Sequence, residues 1–341
     1  MNWQSKKVPK KLLKYKPVQM ELFQIPIDAK KYSNSIELYD AIPKYLWGKA
    51  LVKNEKGKYV PRTTPLERPF KFKNCEYMVV VQPAQIKKRD GEYKHCYPGE
   101  REEIVEDALR KLACSGQGYF LDDQAGVVFT LNELRKELER VGHSLAIREI
   151  KEALMVCNQT HIKLTSLDGK DILGSSLFET LGLSSREEWE ETGGKTRCFV
   201  RFNQLVTRSI RAKTFRQLNY EECMSYSRAL SRYLHKRISH VYTQAGVLNT
   251  YEIHLLTVIR DSGMKRYAKL PDNLRKVKEA LDEMKKKEVV QSYEIHKTLY
   301  GRKLVDAKIK IKTNYSFNQD MKRANAIYLE MRKKKNNRLE V

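Results

Sequence analysis

One chain carries "REIKEAL" (Arg148–Leu154) and "RKVKEAL" (Arg275–Leu281), 127 residues apart and identical at five of seven positions, with Ile150 against Val277. The apolar stripe around the first heptapeptide is Ile147, Ile150, Leu154 and Cys157, and the same offset gives Leu274, Val277, Leu281 and Met284. Both stripes recur at the spacing that puts side chains on one helix face. One match between helical segments is cheap, because Lys, Glu, Ala and Leu all favour helices. Here, though, each copy follows two further helix patterns and precedes a stretch of period two. Ala108-Leu109 aligns with Ala229-Leu230 at 121 and Thr130 with Thr250 at 120, so the second copy carries about seven extra residues before its third helix. A duplicated unit of three helices and a β-hairpin accounts for all of this.

Boundaries within the unit follow from capping and turn chemistry. Thr130-x-x-Glu133 is a capping box, Gly142 ends that helix, and Ser144 caps the next. Asp168-Gly169 marks a hairpin, and "RCFVRF" (Arg197–Phe202) is a further strand. In the second copy, Asn219-x-x-Glu222 opens the first helix, Asn249 or Thr250 the second, and Asp272 or Asn273 the third. A turn at Gly301 then leads to a strand with Val305, Ala307, Ile309 and Ile311 on one face and Lys308, Lys310 and Lys312 on the other. The expected fold class is α+β: two tandem winged-helix domains, each a helix-turn-helix plus a β-hairpin wing, behind a flexible basic N-terminal arm. The expected boundaries are 1–35 for the arm, 36–215 for the first domain and 216–341 for the second with a basic C-terminal tail.

The chain holds 66 Lys and Arg against 42 Asp and Glu, a net charge of +24 among 341 residues. An excess of that size calls for a polyanionic partner, and nucleic acid is the usual one. No apolar run approaches the length of a membrane span, and the N-terminal segment has no signal-like apolar core, so a cytoplasmic protein without membrane contact is expected. The six cysteines are scattered without zinc spacing and read as reduced thiols. "GGKT" (Gly193–Thr196) is no phosphate loop, since Trp189 stands where the pattern needs glycine. No histidine pair has the spacing a metal-dependent nicking site needs, and no nucleophile motif is present. The expectation is no enzyme, no cofactor and no metal.

In a helix-turn-helix the third helix enters the major groove. On the second copy's third helix (273–287) the candidate DNA contacts are Asn273, Arg275, Lys276, Lys278 and Lys286; its wing adds Arg302, Lys303, Lys308, Lys310 and Lys312. Glu279, Asp282 and Glu283 lie among them, either to accept from cytosine or to pair along the helix, as Asp282 with Lys286 would. The first copy offers less: Ser144, Arg148 and Lys151 beside Glu149 and Glu152, with Lys163 and Lys170 in its wing. Its expected roles are assembly and backbone contact.

"IELYDAIPKYLWGKAL" (Ile36–Leu51), "RCFVRFNQLV" (Arg197–Val206), and "SRALSRYLHKRISHVY" through "LRKVKEALDEM" (Ser227–Met284) resemble segments of the bacterial plasmid replication initiators with tandem winged helices, the TrfA and RepC types. The resemblance spans roughly residues 19–313. It implies binding to directly repeated origin sequences (iterons) in double-stranded DNA, opening of AT-rich DNA, recruitment of a host initiator and helicase, and plasmid copy control. It also implies dimers off DNA and monomers on it. "QMELF" (Gln19–Phe23) is similar to the peptides that dock replication proteins on the sliding clamp, with Leu22 and Phe23 as apolar anchors and Gln19 hydrogen-bonding nearby. The segment Ser175–Thr196 departs from the compact family wing. The rival functions are a winged-helix transcriptional regulator without replication activity and a nicking enzyme.

Overall fold

Buried backbone needs partners, and the N-terminal segment finds one across the chain. In the computed structural model, which describes residues 18–19, 31–88, 90–166, 171–183, 191–193 and 195–336, strands β1 (Val18–Gln19) and β2 (Tyr32–Ser35) precede a short helix, α1 (Glu37–Ala41). All four residues of β2 are buried, because it pairs antiparallel with Arg216–Asn219 from Arg216↔Ser35 to Asn219↔Tyr32. The arm expected over 1–35 therefore ends before Tyr32. Three hairpins follow: β3 (Leu51–Lys53) with β4 (Tyr59–Pro61), β5 (Leu66–Phe72) with β6 (Cys75–Gln82), and β7 (Ala84–Lys87) with β8 (Tyr93–Cys96).

The first module's helices are α2 (Glu100–Leu112), α3 (Leu131–Arg140) and α4 (Ile147–Gln159), with β9 (Gly118–Leu121) and β10 (Gln124–Phe129) between the first two. Thr130 and Glu133 form the expected capping box, with the Thr130 hydroxyl accepting from Glu133 N–H at 3.0 Å and the Glu133 carboxylate from Thr130 N–H at 2.7 Å. Ser144 is not the next cap. The helix starts at Ile147, and Glu149 reaches back to accept from Ala146 N–H at 2.8 Å. The wing is β11 (His161–Ser166) and β12 (Asp171–Ser176), but β11 also pairs with β6, giving the sheet β12-β11-β6-β5. Strands β13 (Phe178–Gly182) and β14 (Cys198–Phe202) join a second sheet, β1-β9-β10-β14-β13. The departure expected at Ser175–Thr196 is thus in part an added strand, β13.

Helix α5 (Gln204–Ala212), β15 (Arg216–Asn219) and α6 (Tyr220–Met224) complete the first module, since Phe215, Tyr220 and Met224 belong to its core. The second core begins at Tyr226, so the changeover falls ten residues after the expected boundary at 216. The second module is plainer: α7 (Ala229–Val241), β16 (Tyr251–His254), α8 (Leu255–Asp261), α9 (Leu270–Lys286), β17 (Val290–Tyr300) and β18 (Lys303–Thr313), with sheet order β16-β18-β17. This is a winged helix, and the first module repeats its three helices inside larger sheets.

Three sequence expectations change here. Residues 251–254 are strand, with Tyr251 and Ile253 buried and Glu252 and His254 turned out, so the helix placed after Thr250 starts at Leu255. Ala229-Leu230 opens α7 whereas Ala108-Leu109 lies late in α2, so the offset of 121 does not describe the first helices. Helix α9 starts at Leu270 with Pro271 in its first turn, where the missing N–H costs nothing. The offset of 127 does hold in the third helices: Ile150, Ala153, Leu154 and Cys157 are buried, as are Val277, Ala280, Leu281 and Met284. In β18 the core face is Leu304, Ala307, Ile309 and Ile311. Val305 is the extra residue of an irregularity at Thr298/Leu299 and is only half-buried.

Where a basic C-terminal tail is expected, the described residues after β18 form helix α10 (Tyr315–Asn336). Phe317, Met321 and Ala324 are buried at helical spacing, and Asp320 accepts hydrogen bonds from Tyr32 Oη (2.6 Å) and Asn219 Nδ2 (2.7 Å). The last helix thus fastens the second module to β2 and β15 of the first.

Between the modules lies a buried ionic cluster. Helix α2 is covered on its polar side too: Glu103, Glu106, Asp107, Arg110 and Lys111 are all buried. Lys236 of α7 contacts Asp107 at 2.6 Å and Glu103 at 3.1 Å, while Arg110 contacts Asp40 at 2.8 Å and Asp107 at 3.0 Å. Burial works against the Lys236 ammonium, yet Asp107 and Glu103 hold its pKa above the ordinary lysine value. Burial likewise opposes the Asp40 carboxylate, but Arg110, His240, Lys44 and Lys236 together outweigh it, leaving that pKa well below the usual range.

Candidate nucleic-acid interface

Helix α9 packs Leu274, Val277, Ala280, Leu281 and Met284 inward. Its opposite stripe presents Arg275, Lys278, Asp282, Lys285 and Lys286 to solvent. The acids that confuse the sequence reading are spent within the protein. Glu283 accepts from Ser227 N–H (2.7 Å), Ser227 Oγ (2.6 Å) and Ser231 Oγ (2.5 Å), which satisfies the N-terminus of α7 from a neighbouring helix. Burial works against that carboxylate, and the Ser227 and Ser231 donors outweigh it, so its pKa is lowered. Glu279 contacts Arg228 at 3.1 Å and Lys276 at 3.0 Å. Asp282 accepts from Tyr293 Oη at 2.7 Å and does not make the expected pair with Lys286. Lys278, Lys285 and Lys286 have no ion pair among the described residues.

Asn273 is a correction. It is fully buried, its Oδ1 accepting from Tyr267 N–H at 3.0 Å and its Nδ2 donating to Lys265 O at 2.9 Å. Its stripe is that of Leu274 and Val277, so it cannot face a duplex. What it does is shape the segment "GMKRYAK" (Gly263–Lys269), whose Lys265, Arg266 and Lys269 are exposed at the N-terminal end of α9. Those three cations escape a search confined to helix faces; a basic run between two helix patterns was the available signal. We expect Asn273→Ala to lower stability by about 1–3 kcal/mol, since the buried amide and its two bonds to the backbone of the turn are lost. Amide exchange at 265–267 should quicken. Unchanged melting and unchanged exchange there would contradict this role.

The wing cations divide into two groups. Arg302 and Lys303 are exposed at the hairpin turn. Lys308 and Lys310 lie half-exposed on the outer sheet face and share Glu252 at 2.5 and 3.5 Å. Lys312 is half-buried farther from the turn. Lys276, likewise half-buried, leans on Glu279.

In the first module Ser144 and Arg148 are exposed and Lys151 half-buried. Arg148 and Lys151 line a groove with Ile86, Lys87, Lys88, Lys94 and Met155, so the β7–β8 hairpin lies alongside α4. This helix is flanked where α9 is open, and the added hairpin brings lysines that helix periodicity does not reveal. Lys163 is exposed, whereas Lys170 lies outside the described residues. Gln19 pairs in register with Tyr119 as part of β1; Leu22 and Phe23 of "QMELF" lie outside the described residues. No described helix is long and apolar enough to cross a membrane.

The fold is similar to that of domains 2 and 3 of RctB, with a TM-score of 0.50 and 11% sequence identity over 82% of this chain and 98% of that one. A second crystal structure of RctB domains 2–3 aligns at a TM-score of 0.46 and 9% identity, over 81% and 96% of the two chains. The Pi initiator protein in complex with iteron DNA aligns at 0.43 and 16% identity, over 63% and 91%. No protein-family model matches the sequence, and no curated protein sequence matches it.

Proposed function

We propose that this chain is a sequence-specific double-stranded-DNA-binding replication initiator, with the second winged helix as its principal reader. One observation carries the DNA-binding reading. Glu279 and Glu283 of α9 are turned onto the protein and Asp282 is bonded to Tyr293, leaving Lys278, Lys285 and Lys286 without an ion pair among the described residues, beside the exposed Arg275 and the basic turn Lys265, Arg266 and Lys269. A helix with a cationic outer stripe, entered through a cationic turn, fits the major groove with its N-terminal end toward the base edges. The initiator role rests on the resemblance of the sequence segments to plasmid initiators, as do iteron binding, host helicase, initiator and clamp partners, and the dimer-to-monomer change. The protein acts by binding, without catalysis, cofactor or metal. Incubation with supercoiled DNA and a divalent cation should leave no nicked, covalently attached product.

Two substitutions separate reading from holding. Lys278→Ala is expected to weaken the preferred duplex by about 1–3 kcal/mol and to relax its sequence preference. Lys310→Ala, whose ammonium already shares Glu252, is expected to cost less and to cost every duplex alike. Competition binding against random duplex reads both. Equal losses on specific and random DNA for Lys278→Ala would remove α9 as the reader. Directly repeated binding sites at an origin would support initiation, and a lone palindrome would favour a regulator.

A further inference from the structure

The second wing ends in "KTLYGRK" (Lys297–Lys303), where two large side chains without charge stand exposed: Leu299 at 56% and Tyr300 at 82%. Three cations and no acid lie in that stretch. The hairpin is anchored just below its turn. Leu304 and Ala307 are buried, and Asp306 accepts from Leu256 N–H at 3.1 Å and contacts His254 Nδ1 at 2.9 Å, at the start of α8. A two-residue turn at Gly301-Arg302, with Gly301 at φ 57°, closes the ribbon without slack. An unsatisfied ring and an isobutyl group are thus presented on a rigid, cationic finger.

The ribbon is also long. Strand β17 follows the C-terminal end of α9 and touches it at the Tyr293–Asp282 hydrogen bond. From Asp282 to the start of α9 is about 18 Å of helix at 1.5 Å per residue. From Tyr293 to Tyr300 is about 24 Å of strand at 3.4 Å per residue. The strand is thus long enough to span α9 back to the end that carries Arg275 and the basic turn.

We propose that Leu299 and Tyr300 form a wedge that enters the minor groove beside the site read by α9, where the Tyr300 ring stacks on a nucleobase at a partly opened base step. Lys297, Arg302 and Lys303 hold the flanking phosphates. Apolar wedges of this kind unstack a step and bend the duplex, and stacking on the exposed base offsets the cost. This rests on the DNA-binding reading above, and it gives that reading a means of distorting the duplex it binds. A finger whose only task was phosphate contact would have no use for the two apolar groups.

The test uses the full chain and a duplex that it enriches from a random pool, with 2-aminopurine placed in turn at the positions flanking the enriched motif. Fluorescence reports unstacking, and anisotropy on the same samples reports affinity. The wild-type protein should raise the fluorescence severalfold at one flanking step. Tyr300→Ala should abolish that rise while affinity falls by no more than about tenfold, because stacking gained and unstacking spent largely cancel. Tyr300→Phe should retain the rise, and Arg302→Ala should lower affinity while leaving it in place. Tight binding with no fluorescence change at any flanking step would overturn the wedge alone, as would a wild-type rise in Tyr300→Ala. A rise seen only on the matching single strand would overturn it too. Failure to bind any duplex would sink the DNA-binding reading itself.

Discussion

Raising monovalent salt from about 50 to about 200 mM should lower the affinity of this protein for duplex DNA by roughly 10³–10⁵-fold, the loss expected when some 6–10 phosphates are neutralised. The surface supplies that number. Lys265, Arg266, Lys269, Arg275, Lys278, Lys285 and Lys286 are exposed on or beside α9, and Arg302 and Lys303 stand at the wing turn. Arg275 shares its charge with Glu279 at 3.4 Å and Asp272 at 3.8 Å, and the others have no ion pair among the described residues. Lys308 and Lys310 should contribute little to the slope, because each has Glu252 at hand. Each free cation replaced by alanine should reduce the slope of log affinity against log salt by about one. A flat response, or a slope unmoved by replacing Lys265, Arg266 and Lys269 together, would place the polyanion elsewhere on the molecule.

Lys236→Met should destabilise the protein by about 3–5 kcal/mol, the usual cost of removing one partner from a buried ion pair. Lys236 is buried, and its loss strands Glu103 and Asp107, also buried, with one cation fewer. The sign with pH follows from the carboxylates. Asp40 and Asp107 are held below their ordinary range, so their contribution is present above the unfolded carboxylate range and is lost as pH falls through their folded values. Acid should therefore narrow the gap between Lys236→Met and wild type. Adding Glu103→Gln and Asp107→Asn to Lys236→Met should recover part of the loss at neutral pH. Urea titration with linear extrapolation reads all of these; a loss under about 1 kcal/mol would show that the contact between α2 and α7 does not hold the modules together.

The elements legible in the sequence are those that local periodicity determines. The stripe of α9 and its echo in α4 could be read because each buried face repeats within four residues, and Thr130 with Glu133 because a capping box is complete in itself. Asn273 looks like a contact by its polarity, yet it sits four residues before Val277 on the buried stripe, and position decides. "YEIH" at Tyr251–His254 reads equally as a strand or a helix start over so few residues, and only its pairing with Lys308–Ile311 decides. The polar side of α2 is covered by Asp40, Tyr45 and Trp47 from the N-terminal segment and by Lys236 of α7 from the other module, which no local pattern can announce. The roles of Glu279, Asp282 and Glu283 likewise depend on Arg228, Tyr293 and Ser227 arriving from elsewhere. The basic turn and the β7–β8 lysines lie outside the helix faces, where a helix-turn-helix search does not look.

Selection of bound duplexes from a random pool distinguishes a sequence reader from a general polyanion binder. The wild-type protein should enrich a defined motif, and replacing Arg275 and Lys278 should remove the preference at particular positions of that motif. No enrichment, or the same motif recovered at the same strength by the doubly substituted protein, would contradict it.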